Sequence, residues 1–182
     1  DGLVGYWPFN GNADDGSGNG NDGVPAFIAL TADRFGNPDK AYLFNGSNSG
    51  ITISSGGSLD VGGRQTISLW FNLLSTDPAP LFEYWSSGWG EHLWANVSTW
   101  VPPGTGANIF DRSSVNHIIR TDDPTLGEWH HMVLTYDSSA GRASLYLDNL
   151  LKAQEYGSPF SPMTPNELHL GYRPSPWGLN GS

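Results

Sequence analysis

His131-Met-Val-Leu-Thr-Tyr136, Ala143-Ser-Leu-Tyr-Leu147 and Leu150-Leu-Lys-Ala153, the last two joined by Asp148-Asn149, carry the pattern that decides the fold. Apolar and polar residues alternate along these runs, the two-residue period of a strand with one face on a core and the other in water. Asp and Asn tolerate the positive φ of a tight turn, so Asp148-Asn149 predicts a two-residue hairpin between antiparallel strands. Working outward, the same alternation recurs in Leu3–Phe9, Ala41–Phe44, Ile51–Ile53, Thr66–Phe71 and Glu167–Gly171, each bounded by Gly, Asn, Ser or Pro. No segment of ten or more residues spaces its apolar positions by three and four, so helix is expected only as short turns. Many short antiparallel strands over 182 residues imply two packed sheets in one domain, the sandwich or jelly-roll solution.

Composition agrees. Twenty-four Gly and 13 Pro, with 14% charged and 13% aromatic residues, suit many turns joining strands that bury large rings. A formal net charge of −10 and a pI near 4.6 oppose nucleic-acid backbones and anionic membranes, which would be repelled at long range. No stretch approaches the roughly 20 apolar residues of a membrane span, and Asp1 to Phe9 lacks the basic start and apolar middle of a signal peptide. The absence of cysteine removes disulfides, thiolate nucleophiles and Cys-ligated zinc. Beginning at Asp1 rather than Met, the chain reads as part of a larger, multidomain protein.

Four segments resemble the bacterial laminin-G-like family of concanavalin A-like jelly rolls: Gly2–Gly23, Asp33–Gly46, Thr66–Phe71 and Gly127–Asp137. With the Tyr146-Leu-Asp-Asn hairpin they leave only about Asp77 to Asp123 without a family look. The resemblance implies an all-β, concanavalin A-like jelly-roll sandwich of two antiparallel sheets, used as a module of exported or cell-surface proteins. One departure stands out. Family members close with a strand bearing an acidic pair and an Arg-Ile-Tyr-like run, whereas this chain ends in Trp177-Gly-Leu-Asn-Gly-Ser182. Absence of that strand would leave a sheet edge exposed or filled from elsewhere.

Two regions point to binding. In the acidic loop Asp14, Asp15, Ser17, Asn19 and Asn21 offer oxygens at intervals broken by Gly, a spacing suited to calcium, which takes roughly 6 to 8 oxygen ligands. The loop lacks the closing Glu of an EF-hand, so a hydrated turn is the plain alternative. The resemblance adds that related domains carry a structural calcium near this loop; calcium is then expected to raise the melting temperature and a chelator to lower it. Asp33, Asn37 and Asp39 form a second acidic group that reads equally as turn residues.

The second region, Leu81 to Trp100, concentrates aromatics. Sugar C–H faces stack on Trp and Tyr rings, which cost little entropy to order. Phe82, Tyr84 and Trp94 read as core, as do Trp7, Trp70 and Trp129. Trp85 and Trp89 flank Ser86-Ser-Gly88, and Trp100 precedes Val-Pro-Pro-Gly; with Glu91 and His92 these are the candidate ligand-binding residues. Trp177, Asn96, Asp111, Arg112, Asn116 and His117 are further possibilities that sequence does not rank.

Catalytic signatures are missing. None of Glu83, Glu91, Glu128, Glu155 or Glu167 has the neighbours of a one-strand glucanase motif, and no nucleophile elbow, phosphate loop or His-Glu-x-x-His occurs. The adjacent His130 and His131 point to opposite faces of a strand, one buried and one exposed. The reading is a non-catalytic extracellular binding module, carbohydrate-binding or adhesive, with glycan or polysaccharide as partner. The alternatives are a module that binds a cell-surface protein or peptide, a spacer in an adhesin, and a divergent polysaccharide-degrading enzyme whose carboxylates, such as Asp122, Asp123 and Glu128, meet only in space.

Overall fold

The computed structural model of the chain describes residues 2–54, 58–59, 63–75, 79–85, 92–97, 105–110, 116–157 and 167–171, with 79, 85, 92–97, 105–110 and 116–118 described through their backbone alone. Among these residues there is no helix, and none that could cross a membrane. The strands are β1 (Gly23–Ala26), β2 (Ala29–Thr31), β3 (Ala41–Leu43), β4 (Gly50–Ser54), β5 (Arg64–Asn72), β6 (Ala79–Trp85), β7 (His92–Val97), β8 (Thr105–Phe110), β9 (Asn116–Thr121), β10 (Trp129–Asp137), β11 (Arg142–Leu147), β12 (Leu150–Tyr156) and β13 (Glu167–Leu170). They form a seven-stranded sheet ordered β1-β4-β13-β6-β7-β8-β9, a four-stranded sheet ordered β12-β11-β10-β5 and the small β2-β3 ribbon. All pairings are antiparallel.

Strand β10 shows why the sandwich forms. Its even-numbered residues His130, Met132, Leu134 and Tyr136 are buried, and its odd-numbered ones are half-exposed. Of these, Met132, Leu134 and Tyr136, with Phe71, Leu145 and Leu147, meet Ile51, Ile53, Phe82, Tyr84, Ile119 and Leu168 of the larger sheet in one apolar cluster. Each such burial contributes on the order of 1.5–3 kcal/mol. His130 lies in the buried row and His131 in the half-exposed one, as alternation requires.

The expected hairpin is present. Asp148 and Asn149 have φ of 51° and 66°, both left-handed as the tightest hairpin turn demands. Asp148 also ties the turn back to β10: Oδ1 accepts the His131 N–H at 2.9 Å, and Oδ2 accepts the His130 Nδ1–H at 2.7 Å. Nε2 of His130 lies 3.1 Å from the Thr125 carbonyl. Burial works to raise the Asp148 pKa, but the hydrogen bonds from His130 and His131 outweigh it and hold the carboxyl below its usual value.

Several expectations change. Leu3–Phe9 is not a strand: the Tyr6 N–H donates to Asp15, while the Leu3 and Val4 carbonyls accept from Asn19 and Asn21 side chains, so loop groups take the bonds a neighbouring strand would have made. The stretch without a family look holds β6 to β9, a meander that supplies more than half of the larger sheet. Trp70, read as core, is 44% exposed, because β5 alternates and the even positions from Thr66 to Trp70 lie on its outer side. Trp94, also read as core, is aligned by register with Glu83, in the other row from Phe82 and Tyr84. The expectation of a missing closing strand falls on residues 172–182, outside the described residues. Among the described residues β5 is the edge of the four-stranded sheet, and a cavity of about 640 Å³ lies between it and Gly2–Val4, lined also by Tyr84, Tyr136 and the Arg64–Asp137 ion pair.

Asp148→Ala should destabilise the fold by about 1–3 kcal/mol, because the buried His130 Nδ1–H and the His131 amide both lose their acceptor. Urea denaturation measures this, and an unchanged midpoint would show that the turn holds without its carboxylate.

Candidate functional site

The seven-stranded sheet has two faces. One is the apolar face against β10 and β11. On the other, β13, β4 and β6 align Thr52, His169 and Glu83 in one row. Register continues that row to Trp94 on β7, Asn108 on β8 and Ile118 on β9. A neighbouring row pairs Ser54 with Glu167 and Glu167 with Trp85. A further one runs Asn96, Gly106, Arg120. A sheet face turned away from the core and rich in Trp, Asn, His and carboxylate positions is how strands build a polar binding surface.

Its centre is fixed by hydrogen bonds. Glu83 is fully enclosed and His169 is buried. The His169 Nε2–H faces Glu167 Oε2 at 3.0 Å, and its Nδ1 accepts from the Thr52 hydroxyl at 3.3 Å. Burial lowers the His169 pKa, opposed by the charge and hydrogen bond of Glu167, and the net direction is down. The imidazole is therefore a neutral bridge between a hydroxyl and a carboxylate, a rigid element rather than a mobile proton donor. Glu83 and Glu167 lie diagonally on adjacent strands, so carboxylates from distant sequence do come together, although Glu83 has no surface to offer a substrate.

The sequence candidates distribute unevenly. Trp85 ends β6 opposite Glu167, and His92 begins β7 opposite Phe110. Trp89, Glu91 and Trp100, together with Asp111, Arg112 and Trp177, lie outside the described residues. Asn96 is on β7, and Asn116 and His117 are on β9. Sequence reasoning passed over Glu83, Glu167 and His169. The alternation Glu167-Leu-His169 already places two polar groups on one face; their pairing with β6 and β4, far away in the chain, had no local signal.

In the acidic loop, Asp15 is a hub. Its Oδ1 accepts the N–H of Tyr6 at 2.9 Å and of Ser17 at 2.8 Å, and its Oδ2 accepts the Ser17 hydroxyl at 2.8 Å and the Asn21 N–H at 3.0 Å. The Ser17 Oγ also accepts from Asn19, and the Asn21 Oδ1 accepts from Ser58. Gly18 and Gly20, at φ of 88° and 74°, supply the left-handed turns that close the loop. Trp7 seals it by donating Nε1–H to the Asn21 carbonyl at 2.8 Å. As arranged, these oxygens do not fit a calcium ion unless donors are displaced: four of the five candidates, Asp14, Asp15, Ser17 and Asn21, already hold donors. Asp14 accepts from Asn12 at Oδ2. Among the described residues no three His, Asp or Glu side chains converge on a metal position, Asp122, Asp123 and Glu128 included. Asp33 is likewise a turn hub, accepting from the N–H of Phe35 and Asn37 and from the Asn37 side chain.

With this geometry the chain falls in the class of lectin-like β-sandwiches, two antiparallel sheets with a polar face outside the core. Residues 45–182 match the model of the laminin-G-type concanavalin A-like lectin/glucanases superfamily, and the chain belongs to that family. It is similar in fold to domain 4 of AbnA, a GH43 extracellular arabinanase from Geobacillus stearothermophilus in complex with arabinotriose: 23% identity, 94% of this chain and 84% of that one, TM-score 0.73. It is also similar to the Ruminococcus gnavus IT-sialidase CBM40 bound to α2,3-sialyllactose, at 12% identity, 83% and 78% coverage and TM-score 0.51. Mouse laminin α1 domains LG4-5 give 16% identity and TM-score 0.56, over 68% of this chain and 32% of that one. No curated protein matches the sequence.

Burial works against it, but the hydrogen bonds from Ser17, Tyr6 and Asn21 bring the Asp15 pKa down to about 2. A carboxyl with its folded pKa below its unfolded one contributes stability that is present above the unfolded value of 3.8 and is lost as pH falls through the folded one. The melting temperature should therefore drop between pH 4 and pH 2, and Asp15→Asn should lower it at pH 7 while flattening that drop. Equal pH profiles for the two proteins would remove Asp15 from the role of hub.

Proposed function

We propose that the chain is a non-catalytic carbohydrate-binding module of an extracellular or cell-surface protein, and that its glycan lies across the outer face of the seven-stranded sheet. The observation that carries this reading is the polar row Thr52–His169–Glu83 on the face that the apolar core does not use, in which hydrogen bonds to Thr52 and Glu167 fix the buried His169. A prepaid network of this kind holds the surface rigid, so a ligand need not order it on binding. Trp85 and Trp94 align by backbone register with that row and its neighbour and, with His92 at the start of β7, are the residues this reading assigns to the sugar; the further candidates Trp89, Glu91 and Trp100 lie outside the described residues. The arabinotriose and sialyllactose held by two structural neighbours support a saccharide as the ligand class.

A hydrolytic reading would rest on Glu83 and Glu167. The full enclosure of Glu83 favours the non-catalytic one, since an acid or nucleophile must touch the scissile bond. Calcium at the acidic loop is a separate component. An ion there has to displace the donors on Asp15, so a calcium-dependent rise in melting temperature would mean that the loop opens to bind.

Affinity electrophoresis through a panel of soluble polysaccharides tests the proposal. The wild type is expected to be retarded by at least one neutral polysaccharide such as arabinan, with no release of reducing ends. Trp85→Ala and His92→Ala are expected to abolish retardation while melting normally. Retardation that survives both changes would move the site elsewhere, and silence across the panel would favour a protein-binding module.

A further inference from the structure

The outer side of the four-stranded sheet carries a second cluster that the glycan face does not use. Trp70 on β5 stacks against its cross-strand partner His131, with ring centroids 4.7 Å apart and planes within 12°. The His131 Nε2 shares a hydrogen bond of 2.8 Å with the Ser68 hydroxyl. Over the Trp70 ring, at 4.5 Å, sits the guanidinium of Arg34, and the same guanidinium lies 4.3 Å from the Phe35 ring. Phe35 is 72% exposed.

Two features make this more than a packing contact. The loop tip bearing Arg34 and Phe35 is preorganised, because Asp33 accepts from the amides of Phe35 and Asn37 and the Gly36 N–H returns to the Asp33 carbonyl at 3.0 Å. Among the described residues no carboxylate pairs with Arg34. Asp33 feels its charge, but the Asp33 oxygens are occupied by the turn. The guanidinium's N–H fork is therefore held in place over aromatic rings and open to an incoming anion.

We propose that Arg34, Phe35 and Trp70 form a second saccharide subsite selective for a carboxylate-bearing sugar. The planar fork of Arg34 takes the sugar carboxylate in paired, charge-assisted hydrogen bonds. The exposed Phe35 ring receives the C–H face of the same sugar, while Trp70 holds the guanidinium in place. A neutral sugar gains the stacking but leaves the guanidinium unanswered, which is the basis of selectivity. The subsite lies on the opposite sheet from the glycan face and does not depend on it.

Affinity electrophoresis in polygalacturonate, in a sialylated glycoprotein gel and in neutral galactan tests this. The wild type is expected to be retarded by at least one acidic gel, and the gel that does so identifies a uronic or a sialic acid as the carboxylate source. Arg34→Gln and Phe35→Ala, both at exposed positions, should weaken that retardation roughly tenfold or more. Arg34→Lys should not restore it, and added salt should reduce it. Trp85→Ala and His92→Ala should leave it unchanged, so failure here and failure of the glycan face are told apart. Absence of retardation in both acidic gels, equal retardation in galactan, or Arg34→Gln and Phe35→Ala proteins that migrate as wild type would overturn the proposal.

Discussion

The alternation along Trp129–Asp137 is the constraint on which the rest of the molecule depends. β10 pairs with β5 along its full length and with β11 over six positions. A slip of one residue would exchange Met132 and Leu134 for Val133 and Thr135 on the inner face, and would carry His130 away from Asp148. The Asp148 carboxylate guards against that slip, since it reads two successive residues of β10, the side chain of His130 and the amide of His131. Once β10 is in register, the inner face of the four-stranded sheet is set, and the larger sheet packs on it through Ile51, Ile53, Phe82 and Leu168.

The same geometry creates the polar face. Because Phe82, Tyr84 and Leu168 must point at β10, Glu83, Glu167 and His169 must point the other way. A buried histidine is costly unless paired, and the Thr52–His169–Glu167 chain supplies that pairing across β4 and β13. On the smaller sheet the inward demand of Phe71 sends Trp70 outward, where His131 and Arg34 hold it. Both candidate binding surfaces are thus consequences of which residues the core claims.

What was legible in the sequence is what local pattern controls. The hairpin at Asp148-Asn149, strands β4, β5, β10, β11 and β13, and the split of His130 from His131 follow from two-residue alternation and turn chemistry. β6 to β9 were hidden because Gly, Pro and polar residues interrupt their alternation. Trp70 was misplaced because a large ring is ordinarily a core residue, while parity within the strand, fixed by Phe71, decides otherwise. The Leu3–Phe9 strand failed for a different reason: side chains of Asp15, Asn19 and Asn21 satisfy its backbone, and no spacing rule anticipates that a loop 9 to 17 residues onward will do so. The cluster of Glu83, Glu167 and His169 depends on pairings between distant segments, which sequence does not display.

The central claim is that the outer face of the seven-stranded sheet is where a saccharide rests. Amide chemical-shift mapping of the isotopically labelled protein during titration with arabino-oligosaccharide addresses it residue by residue. The account predicts shifts concentrated at Thr52, Glu83, Trp85, Trp94 and His169, with β10 and β11 unmoved. Shifts confined to the acidic loop at Asp14–Asn21, or to the inner strands, would contradict it.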